Sequence, residues 1–374
     1  MKSFLENLKN MDEYGKKKLV LIGSGVVAFF IILIVALFII SILNRKISYA
    51  DMELIMEKAA YEYFQEHVGQ LPTEEMKTAV VDVQILVEQE YMKKIKKYTK
   101  NESCTGNVVV TNIKGEYDYQ AYLTCDDFNT ELLVDKIKED NKIISEGPGL
   151  YDEDGTLRFR GEQVNNYLKI KDQLYRIIKI DSENKIYIIP EELNYNDDVL
   201  YAYWDDRYNT EEDSACGIND FSVSRVNDSL NEIYNSLDKT VKENMTTYNL
   251  CIGKREDVAI ANDGTIECSL KIENTKIGLL PLYEYIKSSL AAPCTSAKSR
   301  ECGNYNYLVH DDWPWWTATA DSTNTYSIYY VSRTGQIEKD KGYNKKMIRY
   351  VIALKNTTLL NKGNGTSSKP YQIR

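Results

Sequence analysis

LRFRGEQVNNYLKIKDQLYRIIKIDSENKIYIIP, residues 157–190, is the stretch whose reading decides the fold. It holds four runs rich in β-branched and aromatic residues: LRFRG (157–161), NYLKI (166–170), QLYRIIKI (173–180) and KIYIIP (185–190). The short polar breaks Lys171-Asp172 and Ser182-Glu183-Asn184 separate the later ones, so the runs read as neighbouring antiparallel strands of a meander. The pattern returns in WWTATA (315–320), TYSIYYVS (325–332), QIEKD (336–340) and IRYVIALK (348–355). Arg333-Thr334-Gly335 supplies a hairpin turn between two of these, with Gly335 taking positive φ. Between the strand groups lie two helical stripes. Phe221 to Leu237 carries Ser222 as cap and Val223, Val226, Leu230, Ile233, Tyr234 and Leu237 on one face; Leu280 to Leu290 carries Leu282, Ile286 and Leu290. Strands and helices segregated in this way predict an α+β domain over 146–374 with a mainly antiparallel sheet, set off by the turn-rich EGPGLYDEDG (146–155).

Outward from there, residues 44–145 predict a smaller α+β stalk domain. Met52, Ile55, Met56, Ala59, Tyr63 and Phe64 recur at helical spacing, and the helix stops near Gly69 because Pro72 cannot continue it. A second helix is expected over Val83 to Lys97, capped by Asp82. GNVVVTNI (106–113) and EYDYQAYLTC (116–125) alternate around Lys114-Gly115 and predict a β-hairpin flanked at its open end by Cys104 and Cys125. A bridge there closes about 20 residues, worth roughly 3 kcal/mol.

Further out, LVLIGSGVVAFFIILIVALFIISIL (19–43) carries no charge. At ~1.5 Å per residue it reaches roughly 37 Å, beyond a ~30 Å hydrocarbon core, and so predicts a transmembrane helix held in the lipid bilayer. Lys2, Lys9, Lys16, Lys17 and Lys18 precede it and only Arg45 and Lys46 follow, which favours an inner N-terminus. The expectation is a single-pass protein of the cell membrane: residues 1–18 a cytoplasmic tail, 44–145 and 146–374 outside the cell.

The net charge of −10 argues against nucleic acid as a partner, which needs clustered cations. All seven cysteines follow residue 43, where an oxidising exterior lets them pair, and none is spaced C-x-x-C as in zinc ribbons. Cys251 with Cys268 and Cys294 with Cys302 bracket polar loops and are expected to bridge, leaving Cys216 free or intermolecular.

Two resemblances follow from these segments. LPTEEMKTAVVDVQILVEQEYMKKI (71–95), SCTGNVVV (103–110) and YLTC (122–125), after a long N-terminal helix, are similar to pilin-like surface proteins of Gram-positive bacteria, over residues 19–126. That resemblance implies a helix packed on a small sheet with a cysteine pair. FRGEQVNNYLKIKDQLYRIIKI (159–180), INDFSVSRVNDSLNEIYNSL (218–237), IGLLPLYEYI (277–286), WPWWTATADS (313–322) and MIRYVIALK (347–355) occur in that order. Together with the closing GNGTSSKPYQI (363–373), they resemble an uncharacterised domain family of membrane-anchored surface proteins in Firmicutes. The Trp-rich strand and the closing strand are similar, at fold level, to C-type-lectin-like and formylglycine-generating-enzyme-like domains.

Candidate chemistry is sparse. No GxSxG, HExxH or P-loop pattern is present. A catalytic thiol needs a base or metal beside it, which these cysteines lack in sequence. His67 reads as a packing or surface residue of the first helix. His310, before Asp311-Asp312-Trp313, offers a base or metal ligand, against the plainer reading of a solvated loop. Asp152-Glu153-Asp154-Gly155 matches the middle of a calcium loop without its remaining ligands, and reads better as an acidic turn. Trp313, Trp315 and Trp316 are three of the four tryptophans. Alternation puts Trp315 and Trp316 on opposite faces, so one enters the core and the other joins Trp313 in an aromatic platform, unless both are core. The expectation is a surface protein, not an enzyme and without cofactor or metal, whose distal domain recognises a glycan or protein. A pilin-like scaffold subunit is the alternative, and an extracellular enzyme resting on His310 the third reading.

Overall fold

The computed structural model describes residues 46–75, 77–113, 115–191, 200–259, 261–290 and 306–374, with Glu13, Ile31, Leu33 and Ile34 apart from these. Two compact units divide the chain, residues 1–129 and 130–374, each with its own apolar core.

In the first unit, helix α1 (Tyr49–Glu66) starts where Ser48 Oγ accepts from the N–H of Asp51 at 3.1 Å. Its stripe of Met52, Met56, Ala59, Ala60, Tyr63 and Phe64 is buried. The stripe lies on an antiparallel sheet of β1 (Thr78–Asp82), β2 (Thr105–Ile113), β3 (Glu116–Cys125) and β4 (Phe128–Asn129), in that order. Val108, Val110, Ala121 and Leu123 alternate inward to meet it. Gly106 permits the close fit: a Cβ there would stand 2.5 Å from Tyr122 O and 2.7 Å from Met56 Cε. The Cys104–Cys125 disulfide closes the open end of the β2–β3 hairpin. The expected helix over 83–97 is broken into α2 (Val83–Glu88) and α3 (Lys96–Thr99), with Glu90 between them at φ 67°. A left-handed residue cannot continue a helix.

The second unit begins at Thr130, so residues 130–145 belong with it. Helix α4 (Leu133–Asp140) buries Leu133, Val134 and Ile137 in its core. The strands read from 157–190 are β6 (Thr156–Arg160), β7 (Tyr167–Ile170), β8 (Gln173–Ile180) and β9 (Ile186–Pro190), and β7–β8–β9 form the meander. Part of the supposed boundary turn at 146–155 is itself a strand, β5 (Gly149–Glu153). It turns through Asp154 and Gly155, both at positive φ, to pair with β6. β19 (Tyr350–Leu354) continues the sheet beyond β9, and the closing strand β21 (Tyr371–Ile373) runs parallel to β7.

A second sheet has five strands in the order β10 (Tyr201–Tyr203), β18 (Lys345–Met347), β15 (Trp315–Ala320), β16 (Ser327–Val331) and β17 (Ile337–Lys341). Every residue of β15 is buried, which is why it reads as an unbroken apolar-and-threonine run. Helices are short here. The 221–237 stripe is a 3₁₀ turn and then α5 (Val226–Ser236); the 280–290 stripe yields only α7 (Leu282–Lys287), with α6 (Lys239–Asn244) between them.

Two expectations are corrected. The α+β class gives way to a mainly β architecture, because beyond the 18-residue α1 the stripes with helical spacing close only one to three turns before the chain re-enters a sheet. The single-pass placement in the cell membrane is also withdrawn: among the described residues no helix is long and apolar enough to cross a membrane. Of the stretch 19–43 that was to lie in the bilayer, all but Ile31, Leu33 and Ile34 fall outside the described residues.

Candidate functional site

The tryptophan cluster divides sharply. Trp315 and Trp316 are both fully buried, on opposite faces of β15. Trp315 packs edge-on to Tyr285 with the Arg349 guanidinium over its ring, and Trp316 donates Nε1 to Ala202 O at 3.3 Å. Neither belongs to a surface platform, which corrects that part of the expected binding site: both faces of this central strand are covered. Trp313, two residues before the strand, is 48% exposed.

Trp313 does have aromatic company, from residues the sequence reading left out. Its ring lies 5.3 Å from Tyr201 on β10. Tyr203 is two residues along the same strand and so on the same face, and its ring lies 5.4 Å from Tyr343. Tyr201 is 37% and Tyr343 40% exposed. Lys345 is the cross-strand partner of Tyr203, with Nζ 5.1 Å from that ring's centroid. Trp313, Tyr201, Tyr203 and Tyr343 thus form an open aromatic ledge along the β10 margin of the five-stranded sheet. The Tyr-Ala-Tyr alternation at 201–203 was the available signal, but three residues are too few to announce a strand.

His310 accepts from the Trp313 N–H through Nδ1 at 3.3 Å and so helps set the turn before the ledge. Burial, and then the charge of Arg349, push its imidazole below the usual value. His67 stacks on Tyr63 at 4.1 Å, with Nδ1 2.8 Å from Tyr63 O, as a packing residue. Asp152 accepts from Gly155 N–H and Glu153 pairs with Arg158 and Lys287, so these acids serve the turn and the sheet. Among the described residues no group of three or more His, Cys, Asp or Glu is placed to hold a metal.

Cys251 and Cys268 are bridged. The loop they close is organised by Arg255, fully buried against Glu267 at 3.0 Å and donating to Ala261 O at 2.7 Å and Asn262 Oδ1 at 3.0 Å. Cys294 and Cys302 lie outside the described residues, and Cys216 is free and buried. Beside this loop, Glu284 lies buried between Arg158 and Lys179, the latter at 2.6 Å. Burial raises its carboxyl, but the two cations outweigh burial and hold it well below the usual carboxylate range. The cavity of about 30 Å³ beside it, lined by Lys179, Tyr187, Tyr248 and Tyr283, has room for about one water and makes this a brace between layers.

Residues 195–356 match a family described as a domain of unknown function (DUF6273). The whole aromatic ledge and the five-stranded sheet fall inside the match, which is narrower than the 146–374 covered by the resemblance to an uncharacterised family. No curated protein and no solved structure matches the chain.

Proposed function

We propose that the second unit is a recognition module and that the ledge of Trp313, Tyr201, Tyr203 and Tyr343 is its ligand-binding surface. The observation that carries this reading is three exposed rings, Trp313, Tyr201 and Tyr343, gathered with the half-buried Tyr203 on one sheet margin. Two disulfides suit work in an oxidising compartment, outside the reducing cytosol. Binding of the intact chain to glycan and protein panels tests it. Trp313→Ala and Tyr201→Ala should each weaken a bound ligand by about tenfold, ~1.4 kcal/mol, with the fold intact by circular dichroism. A ligand held equally well by both variants would place the binding surface elsewhere. The competing reading is a scaffold subunit of pilin-like type. It draws on the 18-residue α1 laid across a disulfide-closed antiparallel sheet, and self-association in sedimentation would favour it.

A further inference from the structure

We infer that the ledge takes an anionic saccharide, with sugar faces on the rings and an acidic substituent on Lys345; this rests on the ledge being the binding surface. Size comes first. At ~200 Å² per aromatic side chain, exposures of 48%, 37% and 40% for Trp313, Tyr201 and Tyr343 leave roughly 250 Å² of ring surface open. A stable interface with a folded partner needs about 800 Å² on each side. The ledge therefore suits a ligand a few rings long.

Its polar groups then narrow the chemistry. The hydroxyls of Tyr201, Tyr203 and Tyr343 and the indole N–H of Trp313 bond to no described protein group. By contrast, the hydroxyls of Tyr49, Tyr91, Tyr208 and Tyr330 donate to Asp127, Glu66, Asp213 and Glu338. A saccharide matches such a surface, because its ring presents C–H groups on its faces and hydroxyls around its rim. Lys345 adds the charge. Its neighbour Lys346 is neutralised by Asp340 at 2.6 Å, whereas no carboxylate among the described residues pairs with Lys345. It stands at the Tyr203–Tyr343 end, and Asp311 and Asp312 adjoin Trp313 at the other. In a chain of net charge −10, an ammonium beside these rings that no described carboxylate pairs with is a local attraction for anions.

Titration calorimetry on the full chain with oligogalacturonate and a neutral galactan oligosaccharide of equal length tests this at low and raised salt. The acidic sugar should bind at least tenfold more tightly, and salt should erode that margin. Lys345→Gln should abolish that margin, bringing the acidic sugar's affinity down to the neutral sugar's, and Trp313→Ala should weaken both. Equal affinity for the two sugars, with Lys345→Gln silent, would overturn the anionic assignment and leave the ledge standing as a binding surface. Capture of a protein through the ledge, with no sugar bound, would overturn the assignment in the same way. Sugar binding indifferent to Trp313→Ala would bring down the ledge reading itself.

Discussion

Glu284 is reached by cations from two separate strands, Arg158 of β6 and Lys179 of β8, 126 and 105 residues away in sequence. Glu284→Ala would take from Lys179 its carboxylate partner and leave the buried Arg158 with Glu153 alone, and chemical unfolding should register a loss of about 3 kcal/mol. In sequence this glutamate is one acid among apolar neighbours in IGLLPLYEYI, and nothing local announces partners so distant. Glu57 carries the opposite perturbation. Burial on α1 is the main cause, only partly offset by the N–H of Ala121, and Glu53 and Asp118 add to it; the carboxyl is raised from its usual 4.5 to about 7. A folded-state value above the unfolded one favours the protonated form. The stability it contributes is complete below pH 4.5 and is lost as the pH rises through about 7. Allowing for partial exposure, the loss is about 2 kcal/mol. Glu57→Gln should therefore stabilise the first unit at pH 8 and leave it unchanged at pH 4, read by hydrogen exchange at the α1 amides. An equal effect at both pH values would show that its charge is not the cause.

At the scale of elements, strands were legible where both faces are covered or where alternation runs long. The hairpin of β2 and β3 pairs residue for residue from Thr105↔Thr124 to Ile113↔Glu116, as its alternation and turn imply. The 157–190 runs became strands for the same reason: β-branched residues fill a pleated, buried surface. Helices were overdrawn. Their 3.6-residue spacing extends past positions where the backbone turns, as at Glu90, and spacing alone does not mark the stop. Of the aromatic ledge, sequence supplied Trp313 but not its companions, because Tyr201 and Tyr343 join it only through the pairing of β10 with β18. Trp316→Ala should cost about 3–5 kcal/mol of stability, since it empties a buried site between strands. Trp313→Ala should change stability by less than ~0.5 kcal/mol. Thermal unfolding of the two variants separates a core ring from a ledge ring, and comparable losses would mean that Trp313 is a packing residue after all.

The molecule as a whole holds two cores, one built on α1 and the β1–β4 sheet, the other on the sheets of residues 130–374. Each core has a disulfide of its own, Cys104–Cys125 in the first and Cys251–Cys268 in the second, closing loops of similar span, 21 and 17 residues apart. A cross-link acts mainly by restricting the unfolded chain it belongs to, by roughly 3 kcal/mol for loops of this length. If the units fold on their own cores, each bridge should be felt only in its own unit. Calorimetry of the full chain should then show two transitions. Replacing Cys104 and Cys125 by serine should lower one of them by several degrees, and replacing Cys251 and Cys268 should lower the other. Because the second bridge also encloses the buried Arg255–Glu267 pair, its removal should cost more than loop entropy alone, since an opened loop lets water reach a charge pair that folding has dried. A single transition that moves with either replacement would mean that the two cores melt as one.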